Sequence, residues 1–445
     1  MSKDDTSEVI RGVVDMFAQV SSPPDLSDRT RDARDHRLAV FVPSLSGGGV
    51  AHMMTRLAAG LAERGHPVDL VVARTDASYV DRVPPSVNVV TLEASPSWRG
   101  RLAVLKGDPR GFGDMLRPVL LPRKGAWELR YLPDLIAYLK RARPTALISG
   151  KIYPNLVAIW AKHLASVDTR IIVSERVDTR QAGPGPKAHM WRQRFREPLV
   201  RRYYPWADSI VGVSDGVSDD MVRRLGIPRE RITTIYNPVM SRSLLDNARQ
   251  PADHPWYAPG EPPVVISAGR MHVQKDFPTL LRAFARLRAE RPARLIILGD
   301  GELRAELAAL AETLGIGKDF EMPGWASNPL AHMARAQLFV LSSAWEGFGN
   351  VVVEALACGC PVVSTDCPSG PAEILDGGRH GRLVPVGDDQ ALAVAMAATL
   401  DTPPDPNQLR ERAGVFSVDA AVEKYRDLIE RVATPVKHAR PDIKG

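Results

Sequence analysis

Two glutamates, Glu346 and Glu354, lie on either side of a glycine-rich turn in the stretch SSAWEGFGNVVVEALACGCPVVSTD. The run LFVLSS before this turn predicts a strand, and NVVVEALACG after it predicts a helix. Unpaired backbone N–H groups at the start of a helix attract anions, and glycines let a bulky anion approach them. Two carboxylates beside such a site require a ligand whose ends carry groups other than negative charges.

A nucleoside diphosphate sugar meets this requirement, because its diphosphate lies between a ribose diol and the hydroxyls of the sugar. The helix start would hold the charge, and each glutamate would accept hydrogen bonds from hydroxyls at one end. Arg270 and Lys275, in SAGRMHVQKD after another predicted strand, would supply cations at the same sheet edge. Solvated helix glutamates and ordinary surface cations are the alternative interpretation of these four residues.

Length and composition are typical of a soluble protein with two domains. The chain has 445 residues, of which 44% are hydrophobic and 25% charged. No apolar run is long enough to span a bilayer, and the N-terminus is acidic before it is apolar, unlike a signal peptide. Cys358, Cys360 and Cys367 suit a reducing compartment, and their spacing matches no common zinc site. We therefore expect a cytoplasmic protein without a metal.

The formal charge of +6 is unevenly distributed. Basic residues outnumber acidic ones between Trp98 and Arg130, and WRQRFREPLVRRYYPW mixes arginines with aromatic residues. Such stretches suit peripheral contact with an anionic membrane, which would place the protein on the inner face of that membrane. A solvated helix face is the alternative. Nucleic acid is not expected as a partner, because no recognised binding motif accompanies the arginines.

Short apolar runs alternate with amphipathic ones, as in doubly wound α/β proteins with parallel sheets. The alternation stops at the proline-rich segment SRSLLDNARQPADHPWYAPGEPP and restarts at VVISAGR. Ligands of such sheets bind beyond the carboxyl ends of the strands, so a cleft between two domains would hold two substrates. We predict an N-terminal extension at 1–36, a Rossmann-like acceptor-side domain at 37–245, a linker at 246–262, a Rossmann-like donor-binding domain at 263–416, a helix at 417–432 that could cross back to the first domain, and a tail at 433–445.

The C-terminal half resembles the family-four retaining glycosyltransferases, whose GT-B fold has two Rossmann-like domains that face each other across a cleft. The E-x7-E spacing of Glu346 and Glu354 is common by itself, but it is specific when joined to the glycine turn and the upstream cations. The resemblance extends roughly from Arg37 to Val432. The motifs that carry it are AGRMHVQKD, LGDGEL, EGFGNVVVEALACGCPVVSTD and CPSGPAEIL.

The resemblance implies that Glu354 binds the ribose diol and that Glu346 binds hydroxyls of the donor sugar. Arg270 and Lys275 would bind the diphosphate and stabilise the charge that grows on it as the glycosidic bond breaks. This chemistry needs no cofactor or metal, and its catalytic residues would be Arg270, Lys275 and Glu346. Further backbone contacts to the donor are implied for Phe348, Gly349 and Asn350.

In the N-terminal half, VPSLSGGGVAHMM resembles the family's first glycine-rich loop, which approaches the donor phosphates and the acceptor. Many relatives continue with Ala-Glu-Arg after these glycines, and some carry a histidine after the strand that corresponds to TALISG. This chain lacks both features and has Lys151 near the second position. Lys151, Glu175 and Arg176 are therefore acceptor-side candidates, although the last two could form a structural ion pair. The glycines of the loop are Gly47, Gly48 and Gly49.

The sequence thus predicts a retaining transferase that moves a hexosyl unit from a nucleotide sugar, most simply a UDP-sugar. Its acceptor would be a growing glycan or glycolipid in surface or exopolysaccharide synthesis. Two alternatives share the fold: an epimerase that alters a nucleotide sugar without an acceptor, and a non-catalytic scaffold that only binds the donor. Formation of a glycan, of a new nucleotide sugar or of no product distinguishes the three.

Overall fold

The computed structural model describes residues 37–45, 49–75, 83–121, 127–176 and 196–434. The predicted extension at 1–36, nearly all of the tail, and the glycines Gly47 and Gly48 lie outside the described residues.

The first domain contains a seven-stranded parallel sheet in the order β3-β2-β1-β4-β5-β6-β7. Its central strands are buried on both faces, which explains their continuous apolar sequences. The strands are β1 Leu38–Leu45, β2 Val68–Thr75, β3 Val87–Thr91, β4 Ala146–Gly150, β5 Arg170–Glu175, β6 Ser209–Gly212 and β7 Ile232–Thr234. The helices are α1 Gly49–Glu63, α2 Ser97–Gly107, α3 Phe112–Met115, α4 Leu132–Ala142, α5 Ile152–Ala165, α6 Asp215–Leu225 and α7 Arg242–Arg249, with a further helical segment at 196–203.

The second domain contains a six-stranded parallel sheet in the order β10-β9-β8-β11-β12-β13. Together the two sheets confirm the predicted pair of Rossmann-like α/β domains. The strands are β8 Val264–Ala268, β9 Arg294–Leu298, β10 Phe320–Gly324, β11 Leu338–Leu341, β12 Val362–Thr365 and β13 Arg382–Val384. The helices are α8 Phe277–Glu290, α9 Arg304–Thr313, α10 Pro329–Met333, α11 Asn350–Ala357, α12 Pro371–Ile374, α13 Asp389–Asp401, α14 Pro406–Gly414 and α15 Val418–Ala433.

Helix α15 follows the second sheet in sequence but packs against α1 of the first domain. Its apolar face, including Val422 and Tyr425, belongs to the same core as β1. Arg64, just beyond the end of α1, reinforces this contact through ion pairs of 2.6 Å with Asp419 and 2.8 Å with Glu423. The predicted boundary between 245 and 246 falls inside α7, so the first domain runs into the linker without a break in helical structure.

The two domains also touch directly along one side of the cleft. The hydroxyl of Ser214, after β6, donates to the carbonyl oxygen of Gly347 at 2.8 Å. The backbone nitrogens of Asp215 and Gly216, at the start of α6, donate to the carboxylate of Glu373 at 2.7 and 2.9 Å. These contacts bring the carboxyl edge of the first sheet close to the glycine-rich turn of the second domain.

Candidate functional site

The glycine-rich turn leads from β11 into α11 and leaves the start of that helix available to a ligand. Gly349 precedes the helix with φ +94°, a conformation that residues with a Cβ atom rarely adopt. No described side chain caps the first turn, which begins at Asn350. Backbone N–H groups without intrahelical partners therefore remain at this end and favour an anion.

Lys275 and Glu346 meet beside this helix start. The Lys275 Nζ lies 2.6 Å from Glu346 Oε1, and both side chains are largely buried. The hydroxyl of Ser343 also donates to Glu346 Oε1, at 2.7 Å. The stem of Lys275 passes over Gly269, where an added Cβ would lie 2.9 Å from Lys275 Cε. Glycine at position 269 therefore gives the lysine room to reach its partner.

Hydrogen bonds between two loops fix the position of this lysine. Lys275 ends a short 3-10 turn, Val273–Lys275, which follows β8, while Glu346 follows the neighbouring strand β11. The side-chain amide of Gln274 donates to the carbonyl oxygen of Trp345 at 3.0 Å. The hydroxyl of Ser342 donates to the carbonyl oxygen of Lys275 at 2.7 Å. Adjacent strands thus deliver the cation and the carboxylate to one point at the sheet edge.

Glu354 lies about one turn further into α11 and is partly buried. Burial raises the pKa of its carboxyl group, and the positive charges of Arg56 and Lys275 partly oppose that rise. Arg56 comes from α1 of the first domain, and its Nη1 donates to the carbonyl oxygen of Val239 at 2.6 Å. The sequence analysis missed Arg56, because only the packing of the two domains brings it near Glu354.

The other predicted site residues of this region differ in their surroundings. Arg270 is 75% exposed, and its nearest acidic partner is Glu302, at 3.6 Å. The structure therefore does not bring Arg270 into the buried environment of Lys275. The Phe348 ring is buried and stacks on Tyr236 of the first domain, with 5.6 Å between the ring centroids. Only the backbone of Phe348 is consequently placed to contact a ligand.

Comparison with known families identifies the chain. Residues 48–238 match the family described as glycosyl transferase 4-like domain, and residues 249–415 match the glycosyl transferases group 1. The chain belongs to the group 1 glycosyltransferases. The predicted family and its enzymatic class are thereby confirmed.

Curated relatives of the glycosyltransferase agree with this assignment, and a solved structure of another protein shares its fold. The N-acetylgalactosamine-N,N'-diacetylbacillosaminyl-diphospho-undecaprenol 4-alpha-N-acetylgalactosaminyltransferase of Campylobacter jejuni is 28% identical over 82% of this chain and 90% of its own length. The lipopolysaccharide core biosynthesis glycosyltransferase LpsE of Rhizobium meliloti is 34% identical over 52% of this chain and 67% of its own length. Anabaena HepE in complex with UDP and glucose shares the fold, with a TM-score of 0.65 at 18% identity over 89% of this chain and 99% of that one.

The predicted acceptor-side residues of the glycosyltransferase lie at the carboxyl ends of β4 and β5. Lys151 follows β4 with φ +79° and ψ +149°, which a residue with a side chain seldom adopts. The carboxylate of Glu175 accepts hydrogen bonds from the Tyr204 hydroxyl at 2.9 Å and from the backbone nitrogen of Arg176 at 3.1 Å.

Gly49, the described glycine of the predicted first loop, begins α1, and an added Cβ there would meet no described atom within 4 Å.

A further carboxylate on this side of the glycosyltransferase was not predicted. Glu128 is buried, and its Oε2 has no hydrogen-bond partner among the described residues. Burial raises the pKa of Glu128, while the positive charges of Lys151, Arg196 and Arg74 oppose the rise. Arg74, near the end of β2, lies over the ring of Trp127 with its Cζ 4.4 Å from the centroid. No motif in the sequence indicates this cluster, because its members come from four separate segments.

Proposed function

We propose that this glycosyltransferase moves a hexosyl unit from a UDP-linked sugar, with retention of configuration, to a growing lipid-linked glycan in surface or exopolysaccharide synthesis. The observation that carries the donor half of this proposal is the position of Lys275, whose charge acts on both Glu346 and Glu354 beside the start of α11. The names of the Campylobacter and Rhizobium relatives support the acceptor half. The UDP in the HepE structure supports the choice of nucleotide.

Each group in the donor site then has a distinct role. The helix start and Lys275 hold the diphosphate, and Lys275 stabilises the charge that develops when the glycosidic bond breaks. Glu354 accepts hydrogen bonds from the ribose diol, and Glu346 accepts them from the sugar. The hydroxyl of Ser343 also donates to Glu346, so this carboxylate has a second hydrogen-bond donor besides Lys275. Arg270, which is exposed in this structure, adds a second cation only if its side chain turns toward the diphosphate.

The first domain contains a segment, residues 98–121, whose exposed residues support peripheral contact with an anionic membrane. Trp98, Leu102, Phe112 and Leu121 are exposed apolar residues in one segment that also contains several arginines and lysines. Apolar side chains among basic ones bind such membranes through burial and charge attraction together. Within the described residues, no helix is both long and apolar enough to cross a bilayer. We propose that this segment contacts the membrane that carries the lipid-linked acceptor.

Product analysis tests the proposed function. The protein is incubated with UDP-hexoses and a polyprenyl-diphosphate-linked oligosaccharide, and the products are examined by mass spectrometry and by NMR of the new anomeric centre. We expect an acceptor extended by one hexose, with the anomeric configuration of the donor. A changed nucleotide sugar in the absence of acceptor would instead indicate an epimerase, and inverted configuration would contradict the proposed mechanism.

A further inference from the structure

Three side chains form a hydrogen-bonded chain from the first domain to the donor helix. Arg176 Nη1 donates to Asn237 Oδ1 at 2.7 Å, and Asn237 Nδ2 donates to Asn350 Oδ1 at 2.8 Å. Arg176 and Asn237 are buried, with only 7% of each residue exposed. Asn350 is the first residue of α11, where the donor diphosphate is expected. This series of hydrogen bonds therefore connects the end of the acceptor-side strand β5 with the anion-binding end of α11 in the other domain.

The chemistry of the three groups fixes the direction of every hydrogen bond. A guanidinium group only donates, so Asn237 must turn its amide oxygen toward Arg176. The nitrogen of the same amide then faces Asn350, which must accept this hydrogen bond with its own amide oxygen. The remaining NH2 group of Asn350 is thus left to donate to a ligand. With the opposite orientation, Asn350 would present its oxygen, and a phosphate oxygen would be repelled.

Several elements hold Arg176 in place. Its Nη2 lies 3.0 Å from the sulfur of Met54 in α1, and Tyr425 of α15 shares a further hydrogen bond with it. An added Cβ at Gly150, the last residue of β4, would lie 3.0 Å from its Nε. This guanidinium therefore has little freedom to turn away, and it imposes one orientation on the amide of Asn237.

We propose that Arg176 and Asn237 are positioning residues that orient the side-chain amide of Asn350 so that its NH2 group donates to the donor diphosphate. The proposal rests on the proposed function, since it requires a nucleotide donor at α11. Arg176 and Asn237 lie in the first domain and Asn350 lies in the second. The hydrogen bonds among them therefore also make donor affinity depend on the contact between the domains.

A double-mutant cycle between Arg176 and Asn350, which Asn237 links through two hydrogen bonds, tests the proposal. UDP and uridine are titrated by calorimetry into the unaltered protein, Arg176→Met, Asn350→Leu and the double variant. We expect each single change to weaken UDP binding about tenfold, as for one hydrogen bond to a charged group. Uridine lacks the diphosphate, so its affinity should not change. The double variant should bind UDP no more weakly than the weaker single variant.

Two further variants separate orientation from simple structural support. Arg176→Lys keeps a group that only donates, so it should retain most of the UDP affinity that Arg176→Met loses. Arg231→Met removes an arginine of the first domain that donates to the carbonyl oxygens of Pro205 and Ala207, and it should leave UDP binding unchanged. Asn237→Leu, which interrupts the chain without altering the buried arginine, should reproduce the loss if Arg176→Met does not fold.

The outcomes distinguish the inference from the function on which it rests. Equal weakening of UDP and uridine, or additive losses in the double variant, would overturn the positioning role while leaving nucleotide binding established. Absence of UDP binding by the unaltered protein would refute the proposed donor, and the positioning role with it. The proposal predicts that the variants lose affinity for UDP but not for uridine, and that the losses of the two single variants do not add in the double variant.

Discussion

Lys275 and Glu346 form a buried ion pair at the start of α11, with 2.6 Å between Nζ and Oε1 and at most 15% of either side chain exposed. The lysine follows β8 and the glutamate follows β11, which are neighbouring strands of the second sheet. A cation is thus held next to the expected diphosphate before a donor arrives. Such preorganised charge needs little rearrangement when the leaving group becomes more negative.

Removal of this lysine should harm both binding and stability. In Lys275→Ala, the buried carboxylate of Glu346 loses its counter-charge, and we expect the free energy of unfolding to fall by about 3 kcal/mol. UDP affinity should fall about tenfold or more, because a charge-assisted bond to phosphate is lost. Calorimetry and urea denaturation measure the two effects. Lys318→Ala, at an exposed position of the same domain, is the control and should change neither.

Glu354 should make stability depend on pH. Its pKa is raised above the ordinary glutamate value of 4.5 by burial, so the unfolded chain ionises first as the pH rises. The contribution of Glu354 to stability is therefore complete at acidic pH and declines as the pH rises above 4.5. Glu354→Gln cannot ionise and should have a higher Tm than the unaltered protein at pH 7.5, with no difference near pH 4. A Tm difference that does not change with pH would contradict this account. Added UDP should raise the Tm of the unaltered protein more than that of Glu354→Gln.

Two glycines near the donor site should respond differently to alanine. A Cβ at Gly370, which has φ +99°, would lie 1.9 Å from the carbonyl oxygen of Phe348. Gly349 has a similar φ of +94°, but its nearest neighbours would be 3.8 Å away. Gly349→Ala should therefore cost about 1–2 kcal/mol of backbone strain, and Gly370→Ala should cost more because the chain must also shift. Denaturant unfolding measures both, and equal losses would show that the close approach is unimportant.

Glu373 should help to hold the domains together. Its carboxylate accepts the backbone N–H groups of Asp215 and Gly216 from the first domain. In Glu373→Ala these groups lose a charged acceptor, and the contact should weaken by about 1–3 kcal/mol. We expect a larger radius of gyration in small-angle scattering and a higher KM for the donor. Glu306→Ala, on an exposed face of α9, should leave both values unchanged, and an unaltered radius for Glu373→Ala would refute the role.

The exposed apolar residues of segment 98–121 should determine membrane binding. Trp98→Ser combined with Leu102→Ser should reduce sedimentation with phosphatidylglycerol vesicles at low salt, because less apolar area enters the interface. Added salt should weaken binding of the unaltered protein, as expected for basic residues on an anionic surface. Trp325→Ser removes an even more exposed tryptophan, 78% against 56% for Trp98, from the second domain. If Trp325→Ser reduced sedimentation with the vesicles equally, membrane binding would not be specific to the first domain.

The sequence predicted the central strands of both sheets, because strands buried on both faces are continuous apolar runs. It did not reveal β7, β10 and β13, each of which lies at an edge of its sheet. One of them, FEMPG, contains both proline and glycine and has few buried residues. Edge strands bury less apolar surface and therefore leave a weaker signal in the sequence.

The candidate site shows the same division between local and long-range information. Glu346, Gly349, Asn350 and Glu354 share one continuous motif, so their types and spacing could be interpreted together. Asn237 stands 113 positions before Asn350, and no periodicity connects them. Arg176 was predicted at the acceptor cleft, but its buried bond to Asn237 could be found only from the packing within the first domain. Contacts across two domains depend on their relative placement, which a single sequence does not specify.

Calorimetric titration of UDP, GDP and ADP into the unaltered protein, Lys275→Ala and Glu354→Ala tests the central claim most directly. The account predicts that UDP binds clearly more tightly than the other two nucleotides and that each change weakens UDP binding about tenfold or more. UDP binding that is unaffected by both changes would contradict the assignment of Lys275 and Glu354 to the donor site.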